Sequence, residues 1–332
     1  MVPAAGANDG GGSIRIPAAC CGLFGLKPGR GLVPAGPGHG ELLLGAATDG
    51  VVSRSVRDTA ALLDVLTAHP DPGGPYLAAR PEEPYAELAR RAPRKLRVGV
   101  STRSPIGTPV SREARDAVDT AVKLLVGLGH EVEEAEPGID GLRMADDFMT
   151  MYAAVNAAAL AEVKHKSGAD DSRFELDTRL IAAAGRAVDA AEHTIRHDRW
   201  NTYTRQLAAF HETYDLLLTP TLARPPVRIG ELDTPWVTRQ LGGALLRTGL
   251  AGRFSRTRFW KQAVVQNLAP NPFTQLANIT GRPAMSVPLY RTPQGLPLGV
   301  QFCGPLGGEG TLLALAGQLE AAAPWDRERQ AL

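Results

Sequence analysis

Two stretches near the middle of the chain show regular patterns of apolar and polar residues. In "KLRVGVST", the apolar Leu96, Val98 and Val100 alternate with other residues, which predicts a strand. In "SREARDAVDTAVKLLVGLGHEVEEAEP", an apolar stripe at helical spacing follows Ser111, the expected N-cap, and ends near two glycines. The closing "HEVEEAEP" predicts another strand. A strand, a helix and a strand in this order predict parallel pairing and an α/β fold.

The other segments differ in how clearly they predict structure. Residues 1–50 are rich in Gly and Pro and predict loops and short buried strands, and "SRSVRDTAALLDVLTAHP" predicts a helix. Residues 143–215 are Ala-rich and favour helices, "DLLLTPTLARPP" predicts a short buried strand, and residues 228–270 show no clear period. The last segments predict a strand, a turn, a strand and a helix.

Because no Gly/Ser-rich or charged linker divides the chain, residues 1–332 are expected to belong to a single domain.

Composition narrows the classes of function. With 36 basic and 35 acidic residues, the net charge of +1 gives no reason to expect nucleic acid or a membrane as a partner. A leader peptide pattern is missing, and no apolar run reaches the roughly 20 residues of a membrane span. Cys20, Cys21 and Cys303 lack metal-ligand spacing and are interpreted as small apolar residues. These features predict a soluble, cytoplasmic protein.

The stretch "NDGGGSIRIP" carries the candidate chemistry. Three consecutive glycines allow the backbone to approach a ligand closely, and successive N–H groups can converge on one negative atom. A serine at the end of such a run stands beside the same point. This arrangement suits acyl transfer, in which the hydroxyl attacks a carbonyl and the amides stabilise the oxyanion.

Three other glycine-rich motifs do not match this loop. The chain contains no G-x-x-x-x-G-K-[ST] phosphate loop, and "GRGLVP" lacks the last glycine of the dinucleotide fingerprint. An α/β-hydrolase elbow needs G-x-S-x-G, and Arg15 occupies the position of its second glycine. A Gly-rich turn with a solvated serine remains possible from the loop alone.

A longer match distinguishes these alternatives. "DGGGSIRIPAACCGLFGLKPGRG" resembles the core signature of the amidase signature family, D-x-G-G-S-I-R-x-P-A followed by G-x-x-G-L-K-P. "DGVVSRSVRDTAALLDVL", "DLLLTPTLARPP" and "TQLANITGRPAMSVPLYRTPQGLPLGVQFCGP" are similar to later family segments. Within the family, the first residues are similar to the amidases that include cyclic-amide oligomer hydrolases. The resemblance implies an amidase-signature α/β fold, with a mixed central β-sheet flanked by helices.

The resemblance also implies roles for the residues of the loop. Ser13 would be the acyl nucleophile, with the backbone amides of Gly10, Gly11, Gly12 and Ser13 as the oxyanion hole. Asp9 and Arg15 match the family's charged pair and are expected to hold the shape of the loop. In addition, Lys27 is expected to be structural, Thr219 and Pro220 are expected to shape the pocket, and His130 is expected at a strand edge.

The family's proton-transfer residues are not found in this sequence. The family uses a lysine that acts through a second serine, held by a cis peptide bond, and both lie upstream of the nucleophile. Only twelve residues precede Ser13; they include no lysine and no serine, and "SS" occurs nowhere in the chain. The chain is therefore expected to begin inside the active-site region of a longer fold, as an N-terminally truncated amidase.

The sequence thus leaves two functions open. The first is hydrolysis of a small-molecule amide through an acyl-enzyme on Ser13, without a metal or cofactor and with a possible homo-oligomer. In that case the chain alone is expected to be inactive, because a serine hydroxyl needs a positioned base. The alternative is a catalytically inactive fragment of an amidase, or a remnant that docks a partner.

Overall fold

The computed structural model describes residues 2–325 and contains eight strands, thirteen α-helices and one short 3-10 helix (Asp171–Arg173) in that range. The strands are β1 (Ala4–Asp9), β2 (Phe24–Lys27), β3 (Thr48–Ser53), β4 (Arg97–Val100), β5 (Glu131–Glu134), β6 (Leu216–Pro220), β7 (Ala284–Arg291) and β8 (Pro297–Cys303). The helices are α1 (Arg15–Cys21), α2 (Val56–Leu66), α3 (Tyr85–Leu88), α4 (Arg112–Gly127), α5 (Gly141–Ser167), α6 (Leu176–Arg186), α7 (Ala190–Asp198), α8 (Trp200–His211), α9 (Trp236–Arg247), α10 (Ala251–Phe254), α11 (Arg258–Leu268), α12 (Gln275–Ile279) and α13 (Glu309–Ala322).

All eight strands form one mixed sheet in the order β1-β3-β2-β7-β8-β6-β4-β5. Pairing is antiparallel from β1 through to β6 and parallel between β6, β4 and β5. The predicted β–α–β unit is confirmed, because β4 and β5 pair in parallel on either side of α4. The Ser111 side chain caps α4 by accepting a hydrogen bond from the Ala114 N–H at 3.2 Å. The predicted mixed α/β sheet is therefore confirmed.

The predicted short strands of the first fifty residues are found as β1, β2 and the start of β3, together with one helix that the pattern did not indicate. The helix, α1, directly follows the glycine run and ends at Gly22, whose φ of 61° is left-handed. Its seven residues are too few to show a helical period in the sequence. The two buried strands that follow, β2 and β3, pair with each other, and β3 also pairs with β1.

The chain divides into two compact units. Among the described residues, the first unit consists of residues 2–139, 203–226 and 270–325, and it contains the whole sheet. Its main core joins apolar strand residues to residues of α2, α4 and α13, among them Leu26, Val98, Leu218, Met285, Phe302, Leu63, Val118, Leu125 and Leu315. Helices therefore cover the sheet as the pattern of apolar residues requires. Whether the chain is one domain stays a prediction.

The second unit, Asp140–Thr202 and Val227–Ala269, is built from helices in its described residues. Inside it, the buried Asp147 accepts hydrogen bonds from Arg196 at 3.0 Å and from Arg199 at 2.8 Å. The predicted helices of residues 143–215 are found, and residues 228–270, which show no clear period, form α9, α10 and α11. Within residues 2–325, no helix has both the length and the apolar character required to cross a bilayer.

Candidate active site

The glycine run is a bend between two regular elements. Strand β1 ends at Asp9, residues 10–14 form the bend, and α1 begins at Arg15. Asp9 and Arg15 are fully buried, whereas Ser13 is exposed. The buried residues on both sides hold a serine side chain at the surface of the first unit.

The Asp9 carboxylate determines the path of this bend. Its Oδ1 accepts a hydrogen bond from the Gly12 N–H at 2.8 Å, and its Oδ2 accepts from the N–H groups of Ile14 at 3.2 Å and Arg15 at 3.4 Å. Three backbone donors of a short segment thus converge on one side chain. The carboxylate replaces the partners that a helix or a strand would give these amides.

The Arg15 side chain pairs with Asp9 and extends the support. Its Nε and Nη2 donate to the two carboxylate oxygens of Asp9, each at 2.9 Å. The remaining donors reach Thr274 O at 2.8 Å, Gln301 Oε1 at 2.6 Å and Asn278 Oδ1 at 2.6 Å. A paired and fully hydrogen-bonded guanidinium avoids most of the cost of a buried charge. The expected role of Asp9 and Arg15 in holding the loop is supported by these contacts.

Residues far along the chain complete the support. Asn278, on α12, donates to the Asp9 carbonyl oxygen and to Asp9 Oδ1, each at 2.9 Å. Thr274 Oγ1 donates to Gly11 O at 2.6 Å, and Gln301, on β8, donates to Thr219 Oγ1 at 3.2 Å. Thr219 therefore belongs to the buried network that ends at Arg15.

The electrostatics of the pair favour the charged form of Asp9. Burial alone raises the pKa of the Asp9 carboxyl, but the Arg15 charge and hydrogen bonds outweigh burial and lower the pKa to about 2. Asp9 is therefore an anion at neutral pH and acts as a hydrogen-bond acceptor in this loop.

Gly12 has a conformation that other residues rarely adopt. Its φ is 130°, and a Cβ added there would stand 2.6 Å from both Ile16 Cδ1 and Thr274 Oγ1. The third glycine of the run is thus required by the backbone conformation and by the space available.

Two kinds of backbone amide occur in the run. Gly12 N–H is bonded to Asp9, whereas in the described part of the chain the N–H groups of Gly10, Gly11 and Ser13 donate no hydrogen bond. Of the four expected oxyanion-hole donors, Gly12 thus serves to shape the loop in this structure. The other three N–H groups have no acceptor among the described residues.

The structure also locates the other residues that the sequence singled out. Lys27 is buried in β2, and its Nζ donates to Pro28 O at 2.7 Å. Burial and the Arg15 charge lower the pKa of Lys27 to about 7. His130, just before β5, is buried, with Nδ1 accepting from Leu96 N–H at 3.1 Å and Nε2 2.9 Å from Gln318 Oε1. Both residues have the contacts of structural side chains.

Among residues 2–325, no side chain hydrogen bonds to Ser13 Oγ, and no three His, Cys, Asp or Glu side chains are placed to hold a metal.

The family model for amidases matches residues 1–313. The chain belongs to the amidase family. That match contains the glycine run, the Asp9–Arg15 pair and the α12 and β8 segments that support them.

Relatives of known sequence agree with this family. The 6-aminohexanoate-cyclic-dimer hydrolase of Paenarthrobacter ureafaciens is 36% identical over 347 aligned positions, which cover 100% of this chain and 65% of the relative. The enzyme of the same name from Pseudomonas sp. strain NK87 is 35% identical with the same coverage. The chain thus spans about 65% of the length of these amidase relatives.

Solved structures show the same amidase fold. A 6-aminohexanoate cyclic dimer hydrolase superposes with a TM-score of 0.83 at 32% identity, covering 97% of this chain and 65% of that one. A bacterial aryl acylamidase of the amidase signature family superposes with a TM-score of 0.79 at 24% identity, which shows the fold alone. The expected amidase-signature fold is therefore confirmed.

Three members of the site's support are not indicated by the sequence motifs. Thr274, Asn278 and Gln301 lie in the segments that resemble the family, yet they were not singled out there. Their sequence signal is weak, since polar residues within apolar segments such as "TQLANITG" and "GVQFCG" show only that a buried polar group needs partners. Their partner residues are 259 to 286 positions away.

Proposed function

We propose that this chain carries the nucleophile and oxyanion hole of an amide hydrolase, with Ser13 as the nucleophile. The observation that supports this proposal most directly is the exposed Ser13, whose own N–H and those of Gly10 and Gly11 make no hydrogen bond within residues 2–325. A buried ion pair holds this loop rigidly, and preorganised donors of this kind stabilise developing charge. Membership of the amidase family adds independent support.

The proposed reaction proceeds in two steps. Ser13 Oγ attacks the carbonyl carbon of the amide, and the carbonyl oxygen becomes negative within reach of the Gly10, Gly11 and Ser13 N–H groups. The intermediate expels the amine, which takes the proton that left the serine, and an ester on Ser13 remains. Water then attacks this ester and releases the acid. Loss of one oxyanion donor in such a site typically slows the reaction by about 100- to 1,000-fold.

The proposed reaction also needs a base positioned beside Ser13. The resemblance assigns proton transfer to a lysine and a bridging serine that precede the nucleophile, and none of the six lysines here lies upstream of Ser13. We propose that these two groups come from residues outside the 332 of this chain. The chain by itself is then inactive, because an unactivated serine is a weak nucleophile.

The proposed substrate is a small amide, and the reaction uses no metal or cofactor. The two relatives described above are named for hydrolysis of the cyclic dimer of 6-aminohexanoate. That cyclic amide and simple aryl amides are therefore the first substrates to test.

The test compares the chain with a form extended upstream by the residues that its encoding DNA specifies there. The extended form should hydrolyse at least one of these amides, and the chain alone should show negligible turnover. In the extended form, Ser13→Ala should abolish hydrolysis without changing the urea unfolding curve. Ser167→Ala, at an exposed serine of α5, is the matched control and should retain full turnover.

Two results would contradict the proposal. Turnover retained in the Ser13→Ala variant would show that another group is the nucleophile. A folded extended form that hydrolyses none of the amides would instead favour the alternative, a catalytically inactive amidase that docks a partner.

A further inference from the structure

A short turn containing three leucines packs against the glycine run. This leucine turn (residues 42–47) is closed by a bridge between Leu42 and Ala47, with the N–H groups of Gly45 and Ala47 donating to Leu42 O at 3.0 and 3.1 Å. A Cβ added to Gly10 would stand 3.2 Å from Leu43 Cδ2 and 3.3 Å from Ala47 Cβ. The Leu43 side chain therefore lies directly against the backbone of a proposed oxyanion-hole residue.

The backbone of the leucine turn is strained at two neighbouring positions. Leu43 and Leu44 have φ values of 49° and 54°, in the left-handed region. Residues with a branched apolar side chain rarely adopt this conformation, because Cβ approaches the backbone carbonyl oxygen. Strain of this kind persists only where the surroundings enforce it, and it is concentrated at ligand sites.

The partly buried Arg30 and the buried Asn278 enforce the conformation. Arg30 Nε donates to Gly45 O at 2.5 Å and Arg30 Nη2 to Ile279 O at 2.8 Å, which joins the turn to the end of α12. Asn278 Nδ2 donates to Ala46 O at 3.0 Å and also to Asp9 Oδ1 at 2.9 Å. One asparagine thus holds both the leucine turn and the loop that carries Ser13, which fixes Leu43 relative to Gly10.

Leu43 is also partly exposed. Its side chain is only half-buried, so apolar surface remains open next to the glycine run. An acyl group bound at the proposed oxyanion hole would lie next to this apolar side chain, because Leu43 contacts Gly10.

We propose that Leu43 is a specificity-determining residue that forms an apolar wall for the acyl group of the substrate and limits its size. This inference rests on the proposed amide hydrolysis at Ser13. A smaller residue at position 43 would widen the acyl site, and one side chain of this size changes discrimination by about tenfold or more.

The test uses the form extended upstream and two anilides that differ only in the acyl group, acetyl and benzoyl. Leu43→Ala should raise the kcat/KM ratio of the benzoyl to the acetyl anilide by about tenfold. Leu44→Ala is the matched control, since Leu44 shares the left-handed conformation but no described contact joins it to Gly10. The kcat/KM ratio of this variant should equal the wild-type ratio.

If Leu43→Ala fails to fold, Leu43→Asn replaces it, because asparagine tolerates a left-handed φ. Its polar wall should lower hydrolysis of the benzoyl anilide more than that of the acetyl anilide.

The outcomes separate this inference from the function on which it rests. An extended wild-type form that hydrolyses both anilides, with the same ratio after Leu43 is replaced, overturns the role of Leu43 alone. An equal change in Leu44→Ala also overturns it, because the effect would then come from the strained backbone. An extended form that hydrolyses neither anilide overturns the proposed function and this inference together.

Discussion

At the scale of single residues, the Asp9 carboxylate has the largest number of partners in the site. Six N–H groups donate to it, three from the backbone, two from Arg15 and one from Asn278. Among the described residues, the three backbone donors have no acceptor other than the Asp9 carboxylate. The loop that presents Ser13 therefore depends on the charge of one buried side chain.

This dependence predicts an effect of acid. The folded-state pKa of Asp9 is about 2, below the ordinary value of 3.8, so on acidification the unfolded chain takes up this proton first. Asp9 then contributes about 2 kcal/mol of stability above pH 4, which is lost as the pH falls toward 2. The free energy of unfolding, measured in urea at pH 7 and at pH 3, should differ less between the two pH values in Asp9→Asn than in wild type. Asp49→Asn, at an exposed residue of β3, should keep the pH dependence of wild type. An equal reduction of the pH dependence in both variants would show that the effect does not come from Asp9.

A second effect at this scale is predicted at Gly12. Gly12→Ala should lower the free energy of unfolding by about 2 kcal/mol or more, because the φ of 130° and the 2.6 Å contacts both oppose a Cβ. Gly6→Ala in β1 is the control, since nothing lies within 4 Å of its added Cβ, and it should change stability little. Urea unfolding measures the loss of stability in each variant. Similar losses in the two variants would show that the run does not need its third glycine.

At the scale of elements, the site depends on how a few short segments end. β1 ends at Asp9 and α1 begins at Arg15, while α12 carries Asn278 into contact with both the glycine run and the leucine turn. By contrast, α4 lies in the β–α–β unit and is defined by its own sequence signals, above all its N-cap.

The cap of α4 gives a prediction for this element. Ser111→Ala should lower the free energy of unfolding by about 1 kcal/mol, because the Ala114 N–H loses its acceptor. Ser111→Gly should cost only a few tenths of a kcal/mol, since glycine is itself an acceptable N-cap. Equal losses for the two variants in urea unfolding would mean that Ser111 acts through something other than capping.

At the scale of the whole molecule, the sheet buries a lysine. Lys27 lies in β2, and its pKa of about 7 is far below the ordinary 10.5 because burial and the Arg15 charge disfavour its protonated form. Between pH 7 and about 10.5 the unfolded chain binds more protons at Lys27 than the folded chain does. The free energy of unfolding therefore rises with pH over this range.

Replacing this lysine tests the effect. Lys27→Met removes the cost of burying a charge, so any advantage of the variant over wild type should be largest near pH 7 and should shrink toward pH 10. Thermal or urea unfolding at several pH values measures the difference between the two proteins. Lys95→Met, at an exposed lysine, should show a difference that does not vary in this way. A constant difference for Lys27→Met would contradict the lowered pKa.

Much of the fold and part of the site could be predicted from local patterns. The alternation around Val98 and the stripe after Ser111 depend only on the periods of strands and helices, and the structure confirms both. The glycine run, Asp9 and Arg15 lie within a few residues of Ser13, so one motif contains them all. The catalytic role of Ser13, the cytoplasmic location and the single domain stay predictions.

The sequence by itself determined which residues are available to this loop and how each local segment folds, because backbone periods and glycine's freedom act over only a few residues. Tertiary structure alone decided that Gly12 N–H bonds to Asp9, that Asn278 and Gln301 reach Arg15, and that Leu43 packs on Gly10. Sheet pairing and helix packing create these contacts between residues up to 286 positions apart. A buried polar atom must find a partner, but only the folded chain determines which partner lies within 3 Å.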